Sequence, residues 1–317
     1  QSAKLAGTRA LTSAAHRLVD LLHDKSARVQ FHSAIALGQA GSPKTAPQLI
    51  ALLERNNDKD AYIRHAAIMG LTGSAYPEQL TALSSHSSAA ARVAAVATLR
   101  RLRHTGAGEF LNDESDWVLR EAISAIHDDE SIPEALPSVA ALLSGSNHTS
   151  EAITRRLLSA NLRVGGSENA QRLIDYALDK THPDAMRAEA LLCLRDWDRR
   201  PFIDRVEGRV RTLSQRDDRL AKRLVEANLQ KLFEASDGEM LAELIRLCER
   251  LEINLGAGPL LVIARSESQD LTARVQAVQS ITGQEDIAQP LLDLTRNRHS
   301  QIQVAAVQKL AETAPVL

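Results

Sequence analysis

The first predicted helix carries three side chains with the spacing of a metal site. His16, Asp20 and His23 stand at positions i, i+4 and i+7 and therefore share one helical face. Two neutral imidazoles and a carboxylate that converge in this way can bind zinc. The alternative is the solvent-facing edge of a helix whose leucines make the core. We favour this alternative, because such a helix face without a distant fourth ligand is common by chance. We predict no tightly bound functional metal there.

A second group of possible ligands is the run HDDE at 127–130. It follows a predicted helix that ends at Ile126, and its carboxylates could collect a divalent cation. The alternative, which we favour, is an acidic loop between two structural repeats. The sequence thus predicts no catalytic, cofactor-binding or metal-binding residue.

The segment 195–223 is the one conspicuous concentration of charge, with ten basic residues against six acidic ones. It also holds two bulky aromatic residues and Pro201, so we expect an irregular basic excursion near 195–218. Arginine and aromatic residues are enriched at the centres of protein interfaces. The residues predicted to form an interaction surface are Trp197, Arg199, Arg200, Phe202, Arg205, Arg209 and Arg211.

Two interpretations of this segment are open. It could dock an acidic protein partner, another domain or a phosphate group, because clustered arginines recognise such anions. It could also be a solvated loop whose internal ion pairs each contribute little to stability.

The bulk composition limits the possible partners. The formal net charge is −2, from 38 basic and 40 acidic residues, which argues against nucleic acid because phosphate binding usually leaves a basic excess. No apolar run reaches the length of a membrane span, so no membrane partner is predicted.

Cys193 and Cys248 form no disulfide framework and no zinc spacing, and Cys193 is expected to be a small core residue. The chain opens with Gln1 rather than Met, so we expect a processed or excised piece of a longer protein.

The same composition predicts an all-α fold. Aromatic residues are only 3%, whereas β-sandwiches and barrels need aromatic and β-branched strands. Residue types that favour helices, such as Ala, Leu, Arg and Glu, are abundant instead. A chain of 317 residues exceeds the size at which one core usually stops growing, so it forms several domains or one elongated array.

The stretch DAYIRHAAIMGL at 60–71 favours the array, because its pattern recurs along the chain. Ile63 is followed by a basic residue, then by Ala67 and Leu71, and these offsets place the apolar positions on one helical face. Equivalent anchor positions are Val29, Ile63, Ala91, Val118, Thr154, Met186, Ala221, Ala273 and Ile302. Another amphipathic stretch precedes most anchors, so each unit is a helical hairpin. A period of roughly 30–40 residues is typical of an α-solenoid.

We predict from this pattern a single domain over 1–317, an α-α superhelix of about nine hairpins with the second helices on the inner face. The interval from 221 to 273 is long, so one repeat there is expected to be enlarged. In most copies Arg or Lys follows the anchor, as Arg64 does, and is expected to bond to acidic side chains or helix-end carbonyls. Six residues before that position stands a residue of the type that caps helix N-termini. His65 is expected at the surface or between repeats.

The spacing of an Asp six residues before an Arg resembles that of HEAT repeats, and the resemblance covers essentially the whole chain. Three groups of stretches resemble a narrower class: 21–41 with 55–71, then 111–143, then 186–211. They look like the HEAT segment of large secreted bacterial proteins, which lies between a PQQ-dependent sugar-dehydrogenase type β-propeller and a c-type haem domain. The resemblance implies a linker scaffold in a redox-associated, periplasmic or secreted protein. It implies no catalytic residue, since the chain has no Cys-x-x-Cys-His for haem attachment.

The function predicted on these grounds is a non-catalytic protein-interaction or interdomain scaffold without a cofactor. Two alternatives are a HEAT-like enzyme, such as a cofactor-handling lyase, and a free-standing adaptor that binds a peptide. The last helix leaves Val304, Val307 and Leu310 without a polar cap, so we expect that end to lie against another domain.

Overall fold

The computed structural model describes residues 1–145, 150–199, 201–217, 219–282 and 287–313. The chain divides into two compact units, Gln1–Val139 and Ala140–Leu317. The described residues are mainly helical, with one short pair of strands. This confirms the predicted all-α fold class, and within each unit helical hairpins pack in series as in an α-solenoid.

The first unit is built from helices that pack pairwise: α2 on α3, α4 on α5 and α6 on α7. Its helices are α1 Ser2–Thr8, α2 Ala15–Asp20, α3 Ala27–Ala40, α4 Ala46–Asn56, α5 Ala61–Ser74, α6 Pro77–Thr81, α7 Ala89–Leu102 and α8 Asp116–His127. Short 3-10 helices cover Thr12–Ala14, Leu21–His23, Pro43–Thr45, Ala82–Ser85, Thr105–Phe110, Asp128–Glu130 and Pro133–Ala135. The second helices of successive pairs, α3, α5, α7 and α8, pack one on the next.

Close packing of α3 on α5 depends on residues with little or no side chain. A Cβ atom added at Gly70 would lie 2.6 Å from the carbonyl oxygen of Ala34, and one at Gly73 would overlap the carbonyl of Gly38. The anchor face of α5 is apolar and buried, as the repeat pattern predicts, with Ile63 4% exposed and Leu71 fully buried. The two backbones therefore approach each other at the glycines while the larger apolar residues fill the core beside them.

The repeat-position arginine has the role predicted for it. In α5, Arg64 pairs with Asp58. In α7, Arg92 donates to both carboxylate oxygens of Asp113, at 2.7 and 3.0 Å, and to the carbonyl of His86 at 2.6 Å. The bond with Asp113 raises the pKa of Arg92 above its ordinary value. Because Arg92 and Asp113 lie in successive repeats, the bond ties the repeats together.

The acidic or amide residue six positions before the anchor's basic neighbour is not the N-cap predicted for it. It forms a turn just before the cap: Asp24 accepts from the backbone N–H of Ser26, Asp113 from Ser115 and Asn297 from His299. The capping residue of α5 is Asp60, which accepts from the N–H groups of Tyr62 and Ile63. The short side chains of Asp and Asn favour such local turns as well as caps.

The second unit continues the same construction around an inserted β-hairpin. Its elements are α10 Glu151–Val164, α11 Ser167–Leu178, α12 Asp184–Arg195, β1 Phe202–Asp204, β2 Arg209–Arg211, α13 Arg219–Ala235, α14 Gly238–Arg250, α15 Ala257–Arg265, α16 Leu271–Gln279, α17 Ala288–Leu294 and α18 Ser300–Thr313. Helix α9 is Leu136–Ala141. The hairpin pairs are α11 with α12, α13 with α14, α15 with α16 and α17 with α18.

The anchor predicted at Ala221 is wrong. Ala221 lies in α13, which packs against α11 and α14 as the first helix of its hairpin. The series of second helices runs from α12 to α14, α16 and α18, so α14 holds the place assigned to Ala221. Lys222 nonetheless donates to a main-chain carbonyl, that of Glu252, at 3.0 Å. The additional length therefore precedes α13, in the segment that contains the strands.

Candidate interaction surface

The segment predicted to be irregular forms a small antiparallel hairpin. Its strands pair Phe202 with Arg211, Ile203 with Val210 and Asp204 with Arg209. Gly208, with φ +68°, supplies the left-handed residue that the connection requires, and its N–H donates to the carbonyl of Asp204 at 2.7 Å.

The two aromatic residues of the predicted surface are not exposed. Trp197 is fully buried and Phe202 is 2% exposed, so both belong to the core of the second unit and not to a contact surface. The guanidinium of Arg216 lies 4.9 Å from the centre of the Trp197 ring and donates to the carbonyl of Leu162 at 2.6 Å. The aromatic residues therefore hold the segment against the helices, and that part of the prediction is corrected.

Arg211 is also an internal residue. Its Nε donates to the carboxylate of Asp204 at 2.8 Å, and its guanidinium also pairs with Glu207. Asp204 is fully buried and accepts in addition from the N–H of Val206 at 2.9 Å. A buried carboxylate needs such partners, because an uncompensated buried charge is strongly destabilising. Arg211 thus stabilises the hairpin from beneath and is not available to a partner.

Arg205 forms a second ionic support under the hairpin. It donates to Glu189 at 2.8 Å and to Asp196 at 2.7 Å, both largely buried. Burial on its own would lower the pKa of Arg205, but the surrounding acidic groups leave it raised. Glu189 also accepts from Arg155, the repeat-position arginine of α10, at 3.1 Å. The hairpin is therefore joined to α12 and α10 through a continuous series of ion pairs.

What the hairpin presents to solvent is an apolar pair with arginines. Ile203 and Val210, directly opposite each other on the two strands, are 59% and 70% exposed. Arg209, the first residue of β2, is exposed and lies opposite Asp204 in the strand pairing, and the Arg199 side chain is 63% exposed, 3.6 Å from Asp196. Arg200 lies outside the described residues. We call Ile203, Val210, Arg199 and Arg209 the hairpin face.

Comparison with known proteins supports the repeat assignment. Residues 1–72 match a family model for HEAT repeats. This stretch contains α1 to α4 and most of α5, so the HEAT resemblance is confirmed there. A search of curated proteins gave no match. A solved structure described as an engineered protein is similar at 16% identity, over 98% of this chain and 93% of that one, with a TM-score of 0.36.

The other groups singled out in the sequence lie apart from the hairpin face. His16 and Asp20 are 3.8 Å apart, both are exposed, and His23 is exposed as well. In the run at 127–130, buried His127 lies 3.0 Å from Asp128. Within the ranges that the structure describes, no three His, Cys, Asp or Glu side chains are placed to hold a metal ion. No helix in those ranges is both long and apolar enough to cross a bilayer.

Both cysteines are buried, which confirms the core role predicted for Cys193. Burial raises the pKa of Cys193, and it raises the pKa of Cys248 to about 12. Since the thiolate is the reactive form, we expect both thiols to remain unmodified by a disulfide reagent at pH 8 in the folded protein. Both should react once urea unfolds the chain. Thiol titration with and without urea measures this, and rapid reaction of either cysteine in the folded protein would contradict it.

Proposed function

We propose that this chain is a non-catalytic interaction scaffold and that the hairpin face docks an acidic protein surface. The observation that carries the proposal is the exposed pair of Ile203 and Val210 on a hairpin held from beneath by buried charges. Exposed apolar side chains in a segment that also exposes arginines suit an interface, whose centre excludes water and whose edge is polar. Arg199 and Arg209 add the positive charge that an acidic partner would complement.

The ionic groups beneath the hairpin support binding more than catalysis. Arg205 bonds to Glu189 and Asp196, and Arg211 bonds to Asp204. A catalytic acid or base must reach substrate and exchange a proton, whereas these groups serve each other in the interior. They fix the position of the hairpin, and rigid presentation lowers the entropy lost on binding. The HEAT resemblance, which implies a flanking domain or a separate protein as the partner, agrees with this role.

The test is site-specific photo-cross-linking in cells that express the natural protein. A benzophenone amino acid is placed at Val210 and, as a matched control, at Val262, which is also 70% exposed in the same unit. We expect a defined protein adduct from position 210 and none from position 262. The double charge reversal R199E/R209E should remove most of that adduct, because it replaces the attraction to an acidic partner by repulsion.

Two outcomes would contradict the proposal. Equal adducts at both positions would show that any exposed apolar residue is captured. A defined adduct at 210 that survives the charge reversal would show that the arginines do not select the partner. Unchanged thermal unfolding of R199E/R209E confirms that loss of the adduct is not loss of the fold.

A further inference from the structure

A cleft in the first unit is lined by three arginines from one helix end. It has a volume of about 610 Å³ and lies between Thr72 of α5, the end of α7 and the loop after α8. Its lining residues are Thr72, Arg100, Arg101, Arg103, Asp129 and Ser131. It is separate from the hairpin face, which belongs to the second unit.

The arginines are not needed to complete the end of their helix. Arg103 has the left-handed φ of +52°, and its N–H donates to the carbonyls of Leu99 and Arg100. The N–H of His104 also donates to Leu99, at 3.0 Å. This backbone closure satisfies the carbonyls of Leu99 and Arg100, so no arginine side chain is required to cap these two groups. The guanidinium groups can therefore bind other partners.

One of the three already binds a carboxylate from its own chain. Arg100 donates to the carboxylate of Asp129 at 3.0 Å. The backbone of Asp129 is left-handed, with a φ of +59°. Arg101 and Arg103 are exposed, and their side chains have no hydrogen-bond or ion-pair partner among the described residues. The cleft therefore shows one satisfied arginine–carboxylate pair beside two arginines whose charges are unpaired.

We propose that this cleft binds an acidic peptide segment through Arg100, Arg101 and Arg103. Guanidinium groups bind carboxylates with two parallel hydrogen bonds, and Asp129 shows this cleft in contact with that chemical group. The hydroxyls of Thr72 and Ser131 donate to the carbonyls of Ile68 and Asp128, so the arginines alone provide recognition. Among the residues that the structure describes, no aromatic side chain on which a nucleic-acid base could stack lines the cleft. An acidic peptide is therefore favoured over a nucleic acid.

The test measures binding of fluorescein-labelled octaglutamate to the whole chain by fluorescence anisotropy at low salt. The variant R101E/R103E should weaken binding about tenfold or more, since attraction becomes repulsion at both unpaired positions. The matched control is R296E/R298E, two exposed arginines with the same spacing just after α17. This control changes net charge equally and should leave the affinity within about twofold of the unmodified chain, because exposed charges outside the cleft contribute little to binding.

A third variant separates specific recognition from general attraction. Asp129→Asn removes the competing carboxylate, and Asn tolerates the left-handed backbone that Asp129 adopts. We expect octaglutamate to bind this variant more tightly than the unmodified chain. An equal loss in the two double variants, absence of binding at low salt, or tighter binding of octathymidylate than of octaglutamate would each overturn the proposal. The cross-link at position 210 should persist in R101E/R103E, so the two proposals fail or succeed separately.

Discussion

Replacement of Gly73 by alanine is expected to destabilise the first unit by about 3 kcal/mol, at the upper end of the range for overpacked cores. The new methyl group would overlap the carbonyl of Gly38, so α3 and α5 would have to separate. A backbone carbonyl cannot rotate away from the new methyl group as a flexible side chain can. Separation would also loosen the packing at Gly70, where an added Cβ atom would lie 2.6 Å from the carbonyl oxygen of Ala34 and 2.9 Å from the side chain of Leu49. Urea unfolding followed by circular dichroism, with hydrogen exchange of α3 and α5, measures the loss.

Gly108→Ala is the matched control for this prediction. Among the described residues other than its chain neighbours, no heavy atom lies within 4 Å of a Cβ built at Gly108, and that glycine does not require a left-handed backbone. We expect its free energy of unfolding to stay within about 0.5 kcal/mol of the unmodified chain, as for most surface substitutions. Similar stabilities for the two variants would mean that the α3–α5 contact yields easily, and the account of close packing would fail.

The sequence was informative wherever the physics is local or periodic. The bonds of Arg64 and Arg92 follow from a repeat position beside acidic residues, so they could be predicted without knowledge of the fold. The burial of Ile63, Ala67 and Leu71 follows in the same way from helical geometry. Periodicity also predicts the hairpin stack, because each helix pair has one apolar face that only a neighbouring pair can cover.

Burial in the 195–217 segment depended on residues far away in the chain. The Trp197 ring is covered by Arg216, whose position is fixed by a carbonyl on α10. No local pattern shows that contact. The hairpin had a usable local signal, since RVR alternates polar and apolar residues and follows Gly208, a residue type that turns between strands often contain. The concentration of arginines obscured this signal.

The wrong anchor at Ala221 has a related cause. Its helix carries a basic residue after a small apolar one, and this local pattern fits the repeat as well as a true anchor does. Which helix of a hairpin faces the neighbouring second helices depends on the order of packing along the stack. The inserted β-hairpin lengthens the chain between α12 and α13. The next second helix, α14, therefore lies further along the sequence than the repeat period predicts.

Replacement of Arg211 by methionine is the second change with a large expected effect, a loss of about 3–5 kcal/mol in the stability of the second unit. Methionine keeps the unbranched apolar part of the arginine side chain but removes its charge and its donors. The carboxylate of Asp204, which is fully buried, would lose its bond to Nε, and Glu207 would lose its bond to Arg211. Urea unfolding measured by tryptophan fluorescence follows the region directly in a Trp117→Phe background, where Trp197 is the one remaining tryptophan of the sequence.

Arg209→Met is the matched control, because it removes an arginine from the same strand without removing a buried ion-pair partner. Arg209 lies on the same strand but is exposed, so its replacement should cost less than about 0.5 kcal/mol. The double variant D204N/R211M should recover much of the stability lost in R211M, because the remaining group is neutral and a buried amide is less costly than a buried unpaired charge. Such recovery would appear as a coupling energy in the double-mutant cycle. If R211M and R209M instead lose the same stability, or the double variant loses the sum of both single changes, Asp204 and Arg211 do not support the hairpin as a pair. The rigid presentation of Ile203 and Val210 would then lack its physical basis.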